Sequence, residues 1–152
     1  MLVFVVDGLV LMRRKNISYH IDGDTITTTW SPIEGITVET TIIPTEKGHK
    51  RIHKIDSAIE CTAYDCGYAV SNADSARLDS RKEGDVCVME NIDVYSSITV
   101  TGTRNCEKAD TRFIYASPNT NLLHPRTGIP AAGVKIPCGR CEIETEIRAG
   151  GK

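Results

Sequence analysis

Two histidines and an arginine alternate along His49-Lys50-Arg51-Ile52-His53-Lys54-Ile55. On an extended chain successive side chains point to opposite faces, so His49, Arg51 and His53 share one face and Lys50, Ile52 and Lys54 the other. Such a row offers a guanidinium that can grip a carboxylate through two hydrogen bonds, and imidazoles that can hand over or orient a proton near neutral pH. Recognition of a sugar carboxylate, with Arg51 as anchor and His49 or His53 as acid or base, is one reading. Two others are favoured over it: a polar outer sheet face, or a face docked against another domain. No Ser-His-Asp order, phosphate loop or glycine-rich dinucleotide turn accompanies the row.

The remaining candidates for substrate contact are Trp30, Asn121 and Arg126. Tryptophan stacks well on sugar rings, but the single Trp of a chain with two Phe and five Tyr reads first as a core anchor. Asn121 and Arg126 lie with Asn119 and His124 in a stretch rich in Pro, Asn and Gly. Such a loop can reach a substrate, although Asn side chains more often satisfy the loop's own backbone. Paired carboxylates for glycoside hydrolysis are hard to nominate, because Glu34, Glu39, Asp56, Glu142, Glu144 and Glu146 all have ordinary surface explanations. The Glu142, Glu144, Glu146 row reads as a solvated sheet edge.

Cys138-Gly139-Arg140-Cys141 has the spacing of half a zinc site. Completing it would require His49 and His53, whose separation suits a helix face better than a strand. No metal and no cofactor are therefore expected, and the six cysteines read as reduced, ordinary thiols.

The elements that must carry these residues are short strands. Thr, Val and Ile are plentiful, and β-type runs recur between turn signals. Strands are expected over Leu2–Val6, Leu9–Arg14, Ser18–Ile21, Thr25–Trp30, Thr37–Ile43, Lys50–Ile55, Ile59–Tyr64, Tyr68–Val70, Val86–Glu90, Tyr95–Thr101, Thr111–Ala116 and Cys141–Ile147. Turns fall at Asp7-Gly8, Asp22-Gly23-Asp24, Pro32 to Gly35, Lys47-Gly48 and Cys66-Gly67. Ser71–Asp85 reads as the clearest loop. Ser117–Gly133 reads as a long loop or an edge, since Pro125, Pro130 and Pro137 donate no ladder hydrogen bond. The pattern describes an all-β antiparallel sandwich of supersandwich type, with very little helix.

At 152 residues the chain is expected to be a single sandwich domain. Eighteen Lys and Arg against 20 Asp and Glu exclude the broad basic face of a general nucleic-acid binder. No apolar run approaches membrane-spanning length, so no membrane partner is expected. The apolar start is broken by Asp7-Gly8 and reads as a hairpin, not a signal peptide. That reading and the irregular cysteines favour the cytoplasm. A chain that opens directly on an apolar strand suggests the C-terminal piece of something larger.

Several peptides together carry a resemblance. They are Met1-Leu2 through Arg13-Arg14, Trp30-Ser31-Pro32, Gly35-Ile36-Thr37-Val38-Glu39-Thr40, Gly48 through Ile55, Gly67-Tyr68-Ala69-Val70, and Asn119-Thr120-Asn121-Leu122 with Pro125-Arg126-Thr127. In this order they resemble the C-terminal part of the bacterial domain-of-unknown-function 2264 family. That resemblance implies a sandwich that follows an N-terminal (α/α) toroid, the layout of heparinase II/III-like lyases and related glycosidases. It further implies that the toroid and the main catalytic groups are missing from this chain, and that uronic-acid-containing oligosaccharides are the natural substrate class. The leading expectation is an accessory sandwich domain; the alternatives are a self-contained enzyme or a binding module for acidic glycans. An apolar face left open by the missing toroid is expected to promote self-association.

Overall fold

A computed structural model describes residues 1–71, 78–116 and 127–152. The described residues form strands and turns, and every paired strand is antiparallel. The wide sheet has eight strands in the order β3 (Lys15–Asp22), β4 (Thr25–Ser31), β5 (Ile36–Thr45), β6 (Gly48–Ser57), β14 (Gly139–Gly151), β11 (Val94–Arg104), β10 (Val86–Glu90) and β9 (Asp79–Glu83). The narrow sheet runs β12 (Glu107–Ala116), β13 (Thr127–Ile136), β7 (Cys61–Cys66), β1 (Leu2–Val6) and β2 (Leu9–Leu11), with β8 (Val70–Ser71) also paired to β13. No helix among the described residues is long and apolar enough to cross a membrane.

The sheets face one another across a core fed by both. Phe4, Ala63, Ala132 and Val134 come from the narrow sheet, and Trp30, Val38, Ile55, Ile98, Ile143 and Ile147 from the wide one. This is the expected sandwich. The Asp7-Gly8 turn closes β1 on β2 with both residues at positive φ, 49° and 79°, the geometry that lets two residues join right-twisted strands.

Three sequence expectations are corrected. The stretch read as loop from Ser71 contains the edge strand β9, paired only to β10 and exposed throughout; its pattern is hidden because neither face packs on the core. The end of the stretch read as loop or edge, from Thr127 to Gly133, belongs to β13, a central strand between β12 and β7, while residues 117–126 lie outside the described residues. Pro130 is tolerated there because its pairing with β7 stops at Ala131↔Cys66 and resumes with β8 at Gly128↔Val70. Pro130 thus faces a gap, where its carbonyl accepts the Gly67 N–H at 2.8 Å and its nitrogen needs no partner. Glu142, Glu144 and Glu146 line the outer face of β14, which is central, not an edge. Cations oppose them, including Lys50 at 3.5 Å from Glu144.

Candidate functional site

The register explains where the cationic row points. Directly paired residues share a face, so rows can be followed across the wide sheet. Tyr19, Thr28, Thr40, His53 and Ile143 form one row, and Ile21, Ile26, Ile42, Arg51, Thr145 and Val100 the next. Both rows end in the core. His49, Arg51 and His53 therefore face inward, with His53 1% exposed and Arg51 8%. Of the two favoured sequence readings, the polar outer face is overturned. Lys50, Lys54 and Asp56 occupy the outer face instead.

An ion that is buried needs a partner, and the opposite sheet provides one. Asp65 on β7, 1% exposed, meets Arg51 Nη1 at 2.5 Å and His53 Nε2 at 2.9 Å. The Thr145 hydroxyl donates to its Oδ2 at 2.6 Å, and the Cys66 N–H to its Oδ1 at 3.2 Å. Burial alone would push this carboxyl up, but the His53 and Arg51 contacts outweigh it and hold the group well below the usual carboxylate range. Sequence reasoning missed Asp65. The available signal was its parity with Cys61 and Ala63 on a core strand.

The donors can be followed outward from this carboxylate, which can only accept. His53 Nε2 faces Asp65 and its Nδ1 lies 2.8 Å from the Thr40 hydroxyl, while Thr40 accepts the Trp30 indole N–H at 3.2 Å. Trp30 is 3% exposed and packs edge-on against Phe4 at 6.0 Å, so it is a core anchor. On the other side, Arg51 Nε donates to His49 Nε2 at 2.9 Å, and Arg51 Nη1 donates also to the Cys66 carbonyl at 2.8 Å. His49 Nδ1 lies 2.6 Å from the Tyr68 hydroxyl, with the two rings T-shaped at 5.3 Å. Because Nε2 is an acceptor, the neutral imidazole carries its proton on Nδ1 and donates to Tyr68. The Tyr68 proton is then directed away from His49.

Burial, and after it the Arg51 charge, hold the His49 pKa below its usual value. A neutral form favoured on folding means that stability is full above the unfolded value of about 6.5 and declines as pH falls from there toward the lowered folded value. In an NMR titration the His49 ring should shift below pH 6.5, with the Tyr68 ring following it; a midpoint above 6.5 would contradict the Arg51–His49 contact.

Only the outer end of this chain of contacts meets solvent. There a recess of about 390 Å³ is lined by Arg14, Thr28, Trp30, Ile42, His49 and Tyr68, with Arg51 and His53 at its back. It lies on the flank where the wide sheet outruns the narrow one, beside the exposed side chains of Ile17, Tyr19 and Ile21. The structure thus brings His49, Arg51, His53 and Trp30 together and adds Tyr68, Asp65 and Arg14. Asn121 and Arg126 lie outside the described residues, as do Asn119 and His124.

The cysteines do not complete a zinc site with the histidines. The described residues bring no three His, Cys, Asp or Glu side chains into metal-binding geometry. Burial first, then the neighbouring Cys106, pushes the Cys141 thiol up to about 12, far from the thiolate a metal requires.

An antiparallel sandwich with one sheet wider than its partner is the class this fold defines. The DUF2264 C-terminal domain model matches residues 11–142, and the chain belongs to that family. No curated protein matches the sequence. Among solved structures, a heparinase III gene product is similar with a TM-score of 0.62 at 10% identity, covering 98% of this chain and 24% of its own. A protein from the human microbiome assigned as a kojibiose phosphorylase gives 0.57 at 9% identity over 99% of this chain and 22% of its own. The heparan sulfate lyase HepC from Pedobacter heparinus gives 0.55 at 9% identity over 98% and 24%. These likenesses define the fold, and the chain spans about a quarter of the length of the structures it matches.

Proposed function

We propose that this chain is the accessory β-sandwich of a larger carbohydrate-active protein whose substrates are uronic-acid-containing glycans. In this reading a toroid lies outside the chain, and the sandwich lends the His49–Tyr68 end of its cationic row to a shared cleft. The observation that carries the reading is the open flank. A recess rich in hydrogen-bond donors lies beside exposed Ile17, Tyr19 and Ile21, a combination suited to meeting a second body around a polar ligand. The fold likeness to heparin-type lyases supports the substrate class by analogy.

The inner members of the row act as supports. His53 and Asp65 are too buried to touch a glycan, and Arg51 is neutralised by Asp65. A catalytic or positioning role therefore passes from His53 to His49 and Tyr68. A binding module is the second reading, favoured by Tyr19 and Tyr68, which are 73% and 42% exposed.

The isolated chain, incubated with uronate-containing oligosaccharides, should release no product. Turnover that disappears in His49→Ala would overturn the accessory role. Retention of glycans without turnover would favour the module.

A further inference from the structure

The recess has an unusual charge balance. None of its lining residues is an acid; the nearest carboxylate, Asp65, is closed off behind Arg51 and His53. Arg51 and Asp65 match one another's charge. Arg14 is different: it is exposed, its guanidinium lies over the Trp30 ring at 5.1 Å, and no acid among the described residues pairs with it. Stacking on the indole fixes the guanidinium at the rim while leaving its edge donors unused.

Tyr68 lines the same recess. His49 donates to its oxygen, as the Arg51 contact requires, so the phenol proton is available to the recess. Arg14 and Tyr68, both exposed in the lining, thus both present donors. Ile42 and Trp30 give the same recess apolar surface. A lining that directs these donors inward and holds no carboxylate suits a ligand group that only accepts, whereas a neutral sugar hydroxyl both donates and accepts.

We infer that this recess binds an oxyanion substituent on a sugar, a carboxylate or a sulfate ester, between the Arg14 guanidinium and the Tyr68 hydroxyl. The inference rests on the carbohydrate reading above and moves anion recognition from Arg51 to Arg14. Arg51 becomes a positioning residue that fixes the His49 tautomer and, through it, the direction of the Tyr68 proton.

The single tryptophan of the chain reports on the site directly. Its fluorescence would be followed while the chain is titrated with a glucuronate-terminated disaccharide, an O-sulfated disaccharide, an uncharged glucose disaccharide and inorganic sulfate. Both charged sugars should bind roughly tenfold or more tighter than the uncharged one, with affinity falling as salt is raised. Arg14→Gln should erase that preference with the thermal midpoint lowered by no more than a few degrees, the loss of its stacking on Trp30, and Tyr68→Phe should weaken the charged sugars. Equal binding of charged and uncharged sugars would overturn the inference while leaving the carbohydrate reading intact. Binding of sulfate through Arg14 with no response to any sugar would keep the anion site and sink the carbohydrate reading. No response to any probe, or charged-sugar binding unchanged in Arg14→Gln, would overturn the inference.

Discussion

Asp65→Asn is expected to lower folding stability by about 3–5 kcal/mol, because it strips the counter-charge from a buried cation and leaves the surrounding groups in place. The amide keeps one accepting oxygen, so with that oxygen on Arg51 Nη1 its NH2 group is turned on His53 Nε2 and the Thr145 hydroxyl, which both now share Oδ2. The Thr145 hydroxyl, 0% exposed, would lose the charge it now donates to. Urea denaturation followed by Trp30 fluorescence measures the loss. Adding Arg51→Met should restore part of it, since the uncompensated charge is then gone, and this keeps the expectation testable if the single variant does not accumulate. The pH dependence has a fixed sign. Asp65 has a depressed folded pKa, so its stabilisation is full above the unfolded value of about 3.9 and is lost as pH falls from there toward the folded value. The acid limb of the stability curve should therefore be flatter in Asp65→Asn than in the parent. An unchanged limb would place the carboxylate elsewhere.

Gly48→Ala should be the next most damaging single change, at about 2–3 kcal/mol. Gly48 opens β6, where the strand passes close to β14. A β-carbon there would sit 1.9 Å from the Ile147 carbonyl oxygen, and a backbone oxygen cannot swing aside as a side chain can. The strands would have to part at the end that holds His49. Thermal unfolding should show the loss, and the His49–Tyr68 contact should weaken with it. A near-neutral Gly48→Ala would mean that β6 and β14 are less tightly apposed than described. The control is Gly84→Ala, where a β-carbon meets nothing within 4 Å and only the positive φ of 59° is strained.

The architecture was readable because its signals are local: β-branched runs, Asp7-Gly8, Gly23 and Lys47-Gly48 each specify a strand or a hairpin from a few residues. What escaped were strands whose identity comes from their neighbours. Asp79–Glu83 has no apolar face because it sits at an edge, and Thr127–Ile136 carries a proline that only a gap between two short partners makes tolerable.

The site divides along the same line. The shared face of His49, Arg51 and His53 follows from strand parity alone, yet its direction does not. Ile52 lies on the face of Lys50 and Lys54, while Ile55 lies on the face of His53, so the apolar residues point both ways. The deciding residue is Asp65, in a different sheet. Its position inside could be inferred only by pairing one buried acid with the one row of cations able to reach it. Tyr68 and Arg14 gave less still. Each stands at the end of an expected strand, Leu9–Arg14 or Tyr68–Val70, and each instead falls in a connection, Arg14 between β2 and β3 and Tyr68 between β7 and β8.

The claim on which the rest depends is that the cationic row closes on an internal carboxylate and leaves only its His49–Tyr68 end for a ligand. A double-mutant cycle on Asp65→Asn and Arg51→Met addresses it most directly. The expected coupling energy is about 2–3 kcal/mol, the upper range for two groups in direct contact. A coupling indistinguishable from zero would return Arg51 to a solvent-facing row and contradict the placement of the site.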